Sequence, residues 1–148
     1  MPVNFVLYSD PIIHKIAEPV RQIDEALLKL VGEMLVAMKA NHGVGLAANQ
    51  IGVDLRVAVV SVENGTKSFA IINPVVLEKS KEKETYKEGC LSCPGVSIPV
   101  RRSKRVVVQC LDLNGTEVTY ELTDFEARVF QHEIDHLNGH CIVDLVLK

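Results

Sequence analysis

Residues 131–136 read Gln-His-Glu-Ile-Asp-His (QHEIDH), and the rest of the chain is arranged around them. On a helix, side chains four positions apart sit one above the other, so His132 and His136 share a face and their ring nitrogens converge on one divalent ion. Glu133 falls beside them, where a carboxylate can take a proton from water activated at that ion, as in metal-assisted hydrolysis. The flanks also favour a helix. Thr123 followed by Glu126 has the form of a capping box, and Gly139 closes the other end. At about 100° per residue, Phe125, Val129, His132 and His136 form one stripe. Ala127, Phe130, Ile134 and Leu137 form a second, with Glu126 and Glu133 between the two. Arg128, Gln131, Asp135 and Asn138 take the remaining side. That side is expected to face solvent while both stripes are covered.

Two histidines do not complete a metal site. Position 142 is Ile, and after the helix only Asp144 remains as a carboxylate, so a third ligand comes from upstream or from His140. The chain has 148 residues, 47% hydrophobic and 24% charged, with a formal net charge of -3. This describes one globular domain over residues 1–148, large enough for a core without disulfide staples. No secretion signal or membrane-length apolar run is present, so the expected location is the cytoplasm and no membrane partner is expected. There Cys90, Cys93, Cys110 and Cys141 stay reduced or bind metal. The basic run RRSKR at 101–105 lacks interleaved aromatics and a recognition helix. It reads as a solvated turn, and no direct nucleic-acid recognition is expected.

In chain order, residues 2–20 are irregular, and a helix runs from near Asp24 to Ala40 on the spacing of Leu27, Val31, Met34 and Met38. A short irregular stretch, GVGLAANQIG (43–52), carries the polar Gln50, which reads either as a loop amide satisfying its neighbours or as a functional donor. Strands are expected at Leu55–Val62, Phe69–Leu77, Val106–Leu113 and Glu117–Leu122, with Asn-Gly turns marking two hairpins and Asn73-Pro74 interrupting the second strand. The fold class is α+β: antiparallel or mixed sheets packed around a C-terminal metal-binding helix, with an N-terminal helix.

Three readings compete for Cys90 and Cys93. With both histidines they form a closed structural zinc site; as Cys-x-x-C they form a redox pair; or one cysteine alone joins the histidines and leaves a position open for water or substrate. Glu133 has a role only in the last. An open site also needs donors for a developing oxyanion, and Gln50 and a backbone N–H beside the cysteine are the candidates. Glu88 is expected to form an internal ion pair with Arg56, while Asp135 is poorly placed to help either histidine directly.

Three separated segments, GVGLAANQ (Gly43–Gln50), EGCLS (Glu88–Ser92) and QHEIDHLNG (Gln131–Gly139), closely resemble the motifs of the peptide deformylase family, in the same order. The resemblance implies hydrolysis of the formyl group from N-formylmethionine on new polypeptides. It implies that Cys90, His132 and His136 bind Fe2+, with Zn2+, Ni2+ or Co2+ able to occupy the same site. Glu133 would act as general acid and base, and Gln50 with the Leu91 backbone N–H would hold the formyl oxygen. Val44, Gly45, Leu91, Phe125, Val129 and His132 would line the methionine pocket. N-formylmethionyl peptides on nascent chains are the implied partners, with the ribosome as a further one. Many bacterial members continue into a further C-terminal helix after the segment that here reads HCIVDLVLK. Another small metal amidase or peptidase with the same ligands, or a structural zinc domain, are the alternatives.

Overall fold

The computed structural model describes residues 4–146. Positions 2 and 3 of the irregular N-terminal stretch and the last two residues of HCIVDLVLK lie outside them. Asp24 caps the first helix, α1 (Glu25–Ala40), its carboxylate accepting from the Leu27 N–H at 2.9 Å. Five strands then make an antiparallel sheet: β1 (Gly45–Ala47), β2 (Val57–Val62), β3 (Lys67–Lys79), β6 (Arg105–Leu111) and β7 (Glu117–Thr123), in the order β1-β2-β3-β6-β7. Between β3 and β6 the chain leaves to form a separate hairpin of β4 (Lys83–Cys90) and β5 (Cys93–Ser103). The helix α2 (Asp124–Leu137) and the short α3 (Ile142–Val146) close the chain.

Every residue of β2 is buried because the sheet has a helix on each face. Val57 and Val59 pack with Leu27, Val31, Met34 and Met38 of α1, whereas Ala58 and Val60 pack with Phe130, Ile134 and Leu137 of α2. Alternate side chains of a strand point to opposite faces, so one apolar run serves two cores. Both expected hairpins are present, as β2–β3 and β6–β7.

Several expectations change. Asn73-Pro74 does not end β3; Asn73 takes a positive φ of 51°, the register shifts between Ile72 and Val75, and the strand continues. The Asn73 side chain there accepts from the Val20 N–H and donates to the Val20 carbonyl, at 2.8 and 2.9 Å. The stretch 43–52 is not wholly irregular, since it supplies β1 and a 3-10 turn at Ala48–Ile51. Thr123 precedes α2 without a side-chain capping bond, and Glu126 instead accepts from the Glu63 N–H at 2.9 Å. Arg101, Arg102 and Ser103 are not in a solvated turn but end β5, where alternation buries Arg102 and leaves Arg101 exposed.

Candidate metal centre and cleft

The β4–β5 hairpin turns through Leu91-Ser92, so Cys90 and Cys93 face each other as paired residues at its tip. The two thiols have different polar partners. Cys90 Sγ lies 3.3 Å from His136 Nε2, and the Nε2 atoms of His132 and His136 are 3.2 Å apart. One donor atom from each of the three falls within 4.8 Å of the others. Metal bonds of about 2.0–2.3 Å at tetrahedral angles give donor separations of roughly 3.4–3.7 Å, so the three occupy corners of one coordination polyhedron. Burial pushes the Cys90 thiol well up, and its thiolate therefore requires a cation beside it. The donor set fits a divalent ion with a position left for exchange.

Cys93 takes no part. Its sulfur lies 3.7 Å from that of Cys141, in a buried cluster with Ile13. His140 is exposed beyond the end of α2. Among the described residues, only Cys90, His132 and His136 converge as such a donor group. Among the described residues the closed four-ligand site is not assembled, and Cys90 stands as a free thiol with the two histidines rather than bonded to Cys93.

The ligands are held from behind by buried charge. Glu88 accepts from His132 Nδ1 at 2.8 Å, which directs the lone pair of Nε2 toward the ion position. Arg102 donates to both Glu88 oxygens, at 2.7 and 2.9 Å, and to Asp135 at 2.7 Å. Arg128 donates to Glu88 at 2.5 Å. Burial opposes ionisation of Glu88, but the bonds from His132 and Arg102 outweigh it and hold its pKa down at about 2. This network corrects two expectations. Glu88 pairs with Arg102 and Arg128 rather than Arg56, which bonds the Leu137 carbonyl and Asn138 at 2.8 and 2.9 Å. Arg128 and Gln131 are buried under β5 rather than solvated, with the Gln131 amide donating to the Ser103 carbonyl at 2.8 Å. Asp135, as expected, does not act on a histidine directly; it accepts from Arg102, which bonds Glu88.

Glu133 faces the opposite way, into the cleft. It is buried, and its Oε1 has no hydrogen-bond partner. Burial raises its pKa to about 7 against the attraction of His132 and Arg102. Strand β1 passes so close that a Cβ on Gly45 would lie 2.8 Å from the Glu133 carboxylate carbon, and a glycine is needed there. Gln50 is anchored by accepting from the Ala47 N–H at 2.9 Å, and its Nε2 points to Ser92 Oγ at 3.3 Å and Cys90 Sγ at 3.5 Å. The loop-amide reading describes the carbonyl end of Gln50, whose amide end lies beside the metal donor Cys90.

These groups open on a cleft of about 510 Å³. Val44, Gly45, Leu91, Phe125, Val129 and His132 all line it. Phe125 is not covered as its stripe suggested. It is 59% exposed and forms the rim together with Val44. The sequence also offers Arg128 as a contact to the peptide or its entrance, and it does line the cleft; the residue that sequence reasoning missed is Arg102, for which the alternation Ile98, Val100, Arg102 along β5 was the available signal.

Comparison with known proteins gives one answer. The family model described as polypeptide deformylase matches residues 2–148. A peptide deformylase of Thermotoga neapolitana is 46% identical over 140 residues, spanning 95% of this chain and 84% of that protein. The crystal structure of peptide deformylase from Thermotoga maritima superimposes with a TM-score of 0.93 at 42% identity, covering 97% of each chain. A Met-Ala-Ser-bound class I type b peptide deformylase from Acinetobacter baumannii gives a TM-score of 0.92 at 32% identity, over 97% of this chain and 98% of that one.

Proposed function

The chain belongs to the polypeptide deformylase family, whose reaction is metal-dependent removal of the formyl group from N-formylmethionine on nascent peptides, and we propose how its residues carry that reaction out. Cys90, His132 and His136 hold the metal, with Fe2+ as the native ion. Once bound, such an ion supplies Lewis acidity, polarising the formyl carbonyl and making water nucleophilic near neutral pH.

The observation that carries the reading is a buried carboxylate without a partner, Glu133, beside three converging metal donors. Glu133 takes the proton of the attacking water and delivers it to the departing nitrogen as the C–N bond breaks, leaving formate and a free amine. A pKa near 7 suits both transfers. Gln50 Nε2 and the Leu91 backbone N–H donate to the oxygen on which charge develops. Because the Gln50 carbonyl end is fixed by Ala47, its donor is aimed before substrate arrives.

Val44, Leu91, Phe125 and Val129 offer the methionine side chain an apolar bed, consistent with the Met-Ala-Ser peptide named for the Acinetobacter relative. The substrate is the formylated start of a nascent chain, met in the cytoplasm, with the ribosome as a further contact. Formate release from formyl-Met-Ala-Ser, with acetyl-Met-Ala-Ser as control, tests the reaction. Gln50→Ala should lower kcat about 100- to 1,000-fold, and Glu133→Ala should abolish turnover while metal content stays that of the parent. Equal hydrolysis of both peptides would overturn the formyl reading. Loss of metal from folded Glu133→Ala would make Glu133 a support for the ligands instead.

A further inference from the structure

One side chain belongs both to the cleft wall and to the support of a metal ligand. Arg128 lies one helical turn before His132 on α2 and is 9% exposed. It lines the cleft beside Val129 and Phe125. Its Nη1 donates to Glu88 Oε2 at 2.5 Å and to the Val100 carbonyl at 2.9 Å, and its Nη2 donates to the Glu84 carbonyl at 2.7 Å. The other oxygen of Glu88 accepts from His132 Nδ1. Tyr86 covers the outer side of the guanidinium, with Cζ 5.2 Å from the ring centroid.

Neutralising Glu88 does not require Arg128, because Arg102 already binds both carboxylate oxygens. What Arg128 adds is location. Its planar fork reaches the backbone of β4 at Glu84, the backbone of β5 at Val100 and the Glu88 carboxylate together. Hairpin, helix and carboxylate are thereby set in one register. We propose that Arg128 is a positioning residue that couples the pocket for the substrate's first side chain to the orientation of the metal ligand His132. The inference rests on the deformylase reading. A side chain seated against the Arg128 wall bears, through one guanidinium and one carboxylate, on the ring that holds the ion.

Arg128→Met keeps the length and apolar stem of the wall and removes the fork; Arg128→Lys keeps the stem and a single cationic donor group. Each is compared with the parent for kcat and KM on formyl-Met-Ala-Ser, for Co2+ retention against a chelator, and for the visible absorption of the Co2+-loaded protein. The expected result for Arg128→Met is a roughly 10-fold fall in kcat and in Co2+ affinity, a changed Co2+ spectrum, and KM within about twofold of the parent, with Arg128→Lys intermediate in each. Parent-like kcat, affinity and spectrum would overturn the proposal, as would a raised KM alone, which makes Arg128 only a wall. Should Arg128→Met fail to fold, Arg128→Lys and Tyr86→Leu carry the test: a fall of a few-fold in Co2+ affinity supports the coupling, and parent values in both overturn it. If the parent itself releases no formate, the deformylase reading fails, while the Co2+ measurements still decide whether Arg128 orients His132.

Discussion

Helix α2 is held on one side by the five-stranded sheet and on the other by the β4–β5 hairpin, and the two contacts are made of different material. Toward the sheet, Ala127, Phe130, Ile134 and Leu137 meet Ala58, Val60, Ile71, Val106 and Val108. Phe69 and Tyr120 lie against Phe130, with ring centroids 6.3 and 5.7 Å away. Toward the hairpin, the contact is Arg102, Arg128 and Glu88, with Gln131 bridging the backbone of Ser103. Apolar packing is strong in sum but weakly directional, so it supplies stability without fixing a ring to a fraction of an ångström. Buried ion pairs gain little net stability because desolvation offsets the attraction. Their hydrogen bonds, however, have fixed directions. The sheet keeps α2 in the protein, and the hairpin keeps His132 aimed.

The sharpest way to break this division is Phe130→Ala, which should lower unfolding free energy by about 3–5 kcal/mol, read from denaturant midpoints. Metal affinity measured under folding conditions should stay within about twofold of the parent. A parallel fall in affinity would mean that both sides aim the ligands. Glu88→Gln comes next: chelator competition should show metal affinity reduced roughly 10- to 100-fold, equivalent to about 1.4–2.7 kcal/mol. An unchanged affinity would leave the hairpin with no part in positioning His132.

Acid should separate the two sides as well. The folded-state pKa of Glu88 is depressed, from an ordinary 4.5 to about 2. Its contribution to stability is therefore full above about pH 4.5 and is lost as pH falls toward 2. For metal-free protein, the denaturant midpoint of the parent should fall more between pH 5 and pH 2.5 than that of Glu88→Gln; equal slopes would remove Glu88 from the acid response. The smallest effect belongs to Phe125→Ala at the exposed rim, where stability should change by no more than about 0.5 kcal/mol while KM for formyl-Met-Ala-Ser rises. A clear loss of stability would show that Phe125 packs into the apolar contact after all.

Much of this arrangement could be read without coordinates. His132 and His136 share a helix face because their spacing matches one turn, and the apolar stripe of Ala127, Phe130, Ile134 and Leu137 meets the sheet for the same reason. The polar side of that helix could not be read. Arg128, Gln131, Asp135 and Asn138 look like a solvated edge, since periodicity records which residues are apolar and not which polar residues find buried partners. The choice between the two cysteines was also open. Cys90 and Cys93 have nearly equivalent surroundings in sequence, and only the folded hairpin tip places one against His136 and the other against Cys141.

The sequence by itself determined the helix that carries the two imidazoles, the strands beneath it, and the three motifs from which the chemistry follows, because each depends on residues close together along the chain. Only the tertiary structure decided that Cys90 completes the donor set, that Glu88 is shared by two arginines, and that Glu133 stands unpaired against Gly45. Most of those contacts join segments about 40 residues or more apart, and the Glu88–Arg102 pair depends on how β4 and β5 register across their hairpin; such pairings are fixed by packing, desolvation and hydrogen-bond geometry in three dimensions.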